Sequence, residues 1–152
     1  MKSLNNDNDK NELMIRLANL DQETNRLWGK MTSHQMICHL TDSFKCVIGE
    51  KAVSNVDTVA SRTLVKWIAL RTPIKWPQGT PTRPEVSQEI GGTKPVEFRS
   101  DVQQLKEMIE RFARKKVDFD SAFHPFFGKM SQSDWLRWGY RHVDHHLRQF
   151  GL

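Results

Sequence analysis

Nowhere in this chain do apolar and polar residues alternate with the period of two that a half-buried strand requires. Five separate stretches instead repeat apolar residues at intervals of three and four. The pattern argues against a sheet and predicts an all-α protein. Leu13, Leu17 and Leu20 mark a first helix over about residues 9–20. Thr32 opens a second with the capping box T-x-x-Q, completed by Gln35, and Met31 and Met36 stand where a hydrophobic staple belongs. That helix should run to about Ile48 and stop at Gly49. "TVASRTLVKWIAL", residues 58–70, forms a third helix that ends before Pro73. Ser100 with Gln103 reads as the cap of a fourth, reaching about Lys116, and Ser131 with Asp134 caps the last.

Pro73, Pro77, Pro81, Pro84 and Pro95 exclude a long helix between the third and fourth stretches. A connection of this length is commonly functional or a crossover, and its closure entropy rises only slowly with length. Residues 71–98 are therefore expected to cross one end of the molecule, with Trp76 packed where the crossover borders the functional site; the alternative is that Trp76 only pins the loop to the flank of the bundle. The 152 residues suffice for one core, so the chain reads as a single domain, 1–152. Its natural architecture is a four-helix bundle with a long, partly helical, Pro-rich crossover. "WGKMTSHQM" and "FGKMSQSDW" share a Gly-Lys-Met-(Thr/Ser) opening, which we read as two similar helix caps and not as a repeat.

The net charge of +5 raises nucleic acid as a partner. Yet the basic residues are scattered, and the one dense run, "RFARKK" (residues 111–116), ends a predicted helix, where cations complement the macrodipole. No nucleic-acid motif is present. We expect no nucleic-acid partner, and instead a small molecule, with some preference for an anion. No apolar run approaches the roughly 20 residues that span a bilayer, and the first residues lack the apolar core of a signal peptide. Cys38 and Cys46 sit eight apart in one predicted helix, about 12 Å along its axis, too far for a disulfide. Reduced thiols fit a cytoplasmic location with no membrane partner. A homodimer is a further partner class that the sequence allows.

Three of the six histidines crowd into "RHVDHHLRQFG". At about 100° per residue, His142 and His146 lie roughly 40° apart on one helical face. Trp135, Trp138, Gly139 and Gln149 extend that face, so it turns toward the core, whereas Arg141 and Asp144 fall to the solvent side. His145 lies about 60° from His142 on its other side, so geometry leaves a 142/145 pair open. On the second helix, Met36, His39, Leu40, Ser43 and Val47 form a core-facing row interrupted by one imidazole. A buried imidazole without a partner is costly; two helices that each bury imidazoles resolve the cost together on one metal. Asp42, three residues beyond His39, is the candidate to orient it, to bind metal or to act as a general base. His34 is expected at the surface, His124 either anchors its loop or reaches the site, and Arg148 and Gln149 are candidate shell or substrate contacts.

On "WGKMTSHQMICHL" and "HPFFGKMS…W…HVDHHLRQFG" the chain resembles the DinB/YfiT-like metalloenzyme superfamily, in particular a branch without an assigned reaction. The resemblance covers most of the chain. It implies a four-helix bundle holding a divalent metal through one histidine of the second helix and an H-x-x-x-H pair of the last. Those positions are His39, His142 and His146, which favours the 142/146 pair. It also implies a metal-dependent enzyme, a thiol transferase or hydrolase, with a small-molecule or low-molecular-weight thiol substrate. An all-histidine shell does not choose sharply among Zn²⁺, Ni²⁺ and Fe²⁺. The competing expectation is a non-catalytic helical binding module whose metal is structural or absent.

Overall fold

The structure is a computed structural model describing residues 1–114 and 117–152. Among those residues it is all-helical, with five α-helices and no strand beyond the isolated His124–Gly128 bridge. They are α1 (Asp7–Ala18), α2 (Ser33–Val47), α3 (Lys66–Arg71), α4 (Phe98–Ala113) and α5 (Gln132–Gln149). No described helix is long and apolar enough to cross a membrane.

Helix α2 is the central element, with twelve of its fifteen residues buried. It packs along α4, while α1 packs along α5, and both α2 and α4 meet α5. Phe44 lies at the centre, 5.0 Å from the Phe112 ring and 5.7 Å from that of Trp138. Gly139 is what lets them meet: a Cβ there would stand 2.7 Å from Leu4 Cδ1 and 3.3 Å from Phe44 Cε1.

So deep a helix must satisfy the polar side chains it buries, and most of those on α2 find partners. Thr41 and Ser43 donate back to the Ile37 and His39 carbonyls at 3.0 and 2.8 Å. Ser33 donates to the Gln22 carbonyl. His34 is buried against Asp101 of α4 at 2.7 Å, contrary to the surface position expected for it. The expectation failed because periodicity on one helix cannot show that α4 covers that face.

Both expected capping boxes of α2 and α5 are present. The cap of α4 differs: Glu97, not Ser100, is the N-cap, and its carboxylate accepts from the Arg99 and Ser100 amides at 3.0 and 2.7 Å. A carboxylate at a helix N-terminus gains from the macrodipole as well as the hydrogen bonds. The helix then ends at Ala113; the expected extension to Lys116, and the end of the basic run, lie outside the described residues. The third expected helix opens instead with a widened π turn, Ser61–Val65, before α3.

From Thr72 the crossover is irregular, with a 3-10 turn at Pro84–Val86 that rests on α2 and further turns at residues 78–79 and 88–91. Arg141, expected to face solvent, reaches the carbonyls of Thr72 and Ile74 and lies over the Trp76 ring at 5.8 Å. Asp42 holds the far end, accepting from the Thr93 amide and hydroxyl at 2.7 Å each.

The cap assignment is testable by thermal or urea unfolding. Glu97→Ala should lower the unfolding midpoint, whereas Ser100→Ala should leave it unchanged or raise it slightly, alanine being the better helix former.

Candidate metal centre

Helices α2 and α5 cross so that His39, His142 and His146 converge. One ring nitrogen of each lies within 4.8 Å of those of the other two. The ring centroids of His39 are 5.3 Å from His142 and 4.8 Å from His146, and those two are 4.9 Å apart. His145 is not in the group; its ring instead lies 4.8 Å from Trp28 and 5.9 Å from Trp76.

The protons in this cluster follow from its hydrogen bonds. His39 Nδ1 lies 2.9 Å from the Val86 carbonyl, which can only accept, so Nδ1 carries the hydrogen and Nε2 is a bare lone pair. Gln149 Nε2 donates to the Trp28 carbonyl at 2.9 Å, which turns Gln149 Oε1 toward His146 Nδ1 at 3.0 Å. His146 Nδ1 must therefore donate, and its Nε2 is also bare. Burial drives the pKa of His39 below the ordinary imidazole value, and those of His142 and His146 well below it, with His39 further opposing charge on both of the latter. All three are neutral at pH 7.

Neutral imidazoles held through Nδ1–H with Nε2 free are the usual state of metal-ligating histidine. His142 Nδ1, moreover, is buried without any partner, a cost that ordinary packing does not explain. Lone pairs facing one another across such a gap lack only a positive charge between them. The donor set thus fits a divalent cation.

The loop before α2 serves this arrangement. Gly29 adopts φ +83°, and a Cβ there would stand 2.3 Å from Gln149 Nε2. The "WGK" stretch is thus the seat of Gln149, which the sequence offered only as a candidate shell residue. Arg148 has a different place, paired with Asp144 at 2.9 Å.

A cavity of about 600 Å³ opens on the three histidines. Its wall is largely apolar, from Val47, Val53, Val65, Phe127 and Trp138, with Cys46, His124 and His145 among the polar lining residues. Residues 76–86 of the crossover form part of that wall, with Trp76 6.0 Å from His142. The crossover therefore borders the cavity, as its prolines and tryptophan suggested. Asp42 sits apart from this lining: its carboxylate is taken up by Thr93 and by Lys51 at 3.3 Å. His39 turns to Val86 and away from it.

A second group with metal-ligand chemistry is His34, Cys38 and Asp101. Here Asp101 Oδ2 already accepts from His34 and from the Val96 amide at 3.1 Å. Burial, reinforced by Asp101, pushes the Cys38 thiol up to about 12, so it is no thiolate. This group is internally satisfied and clamps α2 to α4.

Burial also lowers His145 to about 4 and His124 to about 3. For an imidazole depressed on folding, the unfolded chain takes up the proton first. Its contribution is complete above the unfolded pKa of about 6.5 and is lost as pH falls toward the folded value. The metal-free protein should therefore lose stability steeply from about pH 6.5 to 4, above the range where carboxylates titrate. Unfolding midpoints against pH should show uptake of more than one proton.

No curated protein matches the chain, and no solved structure does. A family model described as "Protein of unknown function (DUF1569)" matches residues 2–151, and that description makes no link to the DinB/YfiT-like superfamily. Since the match spans nearly all of the molecule, the chain belongs to the DUF1569 family.

Proposed function

We propose that this protein is a metal-dependent enzyme on a four-helix bundle of the DinB/YfiT type, with a divalent cation held by His39, His142 and His146. The observation that carries the reading is the wiring of His39 and His146, whose outer nitrogens donate to Val86 and Gln149 and leave both inner nitrogens bare. Zn²⁺, Ni²⁺ or Fe²⁺ would satisfy the set. Such an ion supplies a Lewis acid with open positions, able to acidify a water or a thiol at neutral pH.

The remaining work falls to the chain. Val86 and Gln149 fix ring orientation. The crossover and the apolar wall limit bulk water, which strengthens every polar interaction inside. The cavity suits a small molecule, and thiol transfer or hydrolysis is the chemistry the site supports best. In this reading Asp42 is a positioning residue that fastens the crossover through Thr93, and it leaves the base role expected of it without a geometric basis.

One observation favours a second reading. Among the described residues lining the cavity there is no carboxylate, so a general base there would have to be an imidazole, His124 or His145. A binding module with a structural cation meets that fact equally well, and turnover assays with thiol and ester substrates separate the two.

The metal site is tested by metal analysis of untagged protein. Alanine at His39, His142 or His146 should abolish stoichiometric metal, and His145→Ala should leave one ion per chain. Full occupancy in His39→Ala would sink the shared site. Gln149→Leu should retain the ligands yet weaken binding about 10- to 100-fold.

A further inference from the structure

His124 is a cavity-lining histidine outside the cluster, and its Nδ1 is an acceptor for its own loop. Its Nδ1 accepts from the backbone amides of Phe126 and Phe127, both at 3.1 Å. A ring nitrogen that accepts two N–H groups carries no proton, so the single hydrogen of the neutral ring resides on Nε2. The ring is fixed in rotation, stacked on Phe127 at 4.6 Å and meeting the edge of Trp138 at 5.5 Å. The turn around it is closed by paired backbone bonds between His124 and Gly128, where φ is +68°.

Among the described residues nothing accepts from Nε2–H. Nor is that atom among those sealed from solvent without a partner, as His142 Nδ1 and His145 Nδ1 are. His124 lines the cavity that His39, His142 and His146 also line, and Nε2–H is the donor it has left to offer there. The rest of the wall is mainly apolar; Arg83, its one cationic residue apart from the imidazoles, donates to Ser54 and lies 3.9 Å from Glu85, with its Nε buried without a hydrogen-bond partner.

We infer that His124 is the ligand-orienting donor of this cavity, and that the molecule taken there is mainly apolar and carries a carbonyl-type oxygen that accepts from Nε2–H. The inference rests on the cavity being a substrate site, as proposed above, and it does not need the metal. It narrows the substrate class from small molecules in general to ketones, esters and amides with an apolar body.

Full-length protein, metal-free and zinc-loaded, is titrated with cyclohexanone and with methylenecyclohexane, which has the same ring without the oxygen. Two-bond ¹H–¹⁵N spectra of the histidine rings should show His124 as the Nε2–H tautomer, and its Nε2 resonance should move saturably with the ketone alone. His124→Asn places an amide oxygen where Nδ1 stood, keeping the loop acceptor but losing the donor. It should bind the ketone about fivefold more weakly, the scale of one net hydrogen bond, and bind the hydrocarbon unchanged. His124→Gln keeps a donor near Nε2 and loses the loop acceptor, so it should retain the ketone preference at a lower melting temperature. An Nδ1–H tautomer, absence of ketone binding in wild type, or an unaltered preference in His124→Asn would each overturn the inference. The metal-free arm decides it, so a failed zinc titration bears on the metal reading alone.

Discussion

The carbonyl of Val86 can only accept, and the His39 ring that reaches it must offer a hydrogen at Nδ1 and a lone pair at Nε2. Gln149 imposes the same state on His146, because its own amide is committed to the Trp28 carbonyl. These two bonds turn buried imidazoles from an expense into a donor set. They also explain the connections around them: the 3-10 turn exists to deliver one acceptor and the Gly29 loop to seat the other. Without either, a neutral ring could take the opposite tautomer and present a hydrogen where a cation would sit.

Much of this was legible in the sequence because it depends on local spacing. The capping boxes at Thr32 and Ser131 need only four consecutive residues, and both formed. The i, i+4 pair and the row through His39 need only one helix each, and the structure brings them together. The relation of Trp76 to the cavity followed from its size and from the prolines around it.

What escaped was decided between elements. His34 has the pattern of a first-turn surface residue until α4 brings Asp101 to within 2.7 Å of it. Asp42 stands where it could orient His39, but the crossover returns Thr93 to its carboxylate from fifty-one residues away. Ser100 matched the capping pattern, yet Glu97 starts the helix three residues earlier, accepting from the Arg99 and Ser100 amides with two oxygens and a full charge. The double role of His124 depends on amides two and three residues ahead, which a histidine before proline only hints at.

The crossover is bound to the histidine cluster through one backbone carbonyl, and with an ion held there the two would be thermodynamically reciprocal. Any ion that prefers His39 in its Nδ1–H state also favours the Val86 turn in place, and any change that frees the turn weakens the ion by the same factor. A 28-residue segment without regular packing of its own thus becomes a reporter of occupancy at a centre it never ligates. Amide exchange across residues 84–92 would slow as the ion fills its site, so that the least helical part of the molecule gauges the state of its most buried one.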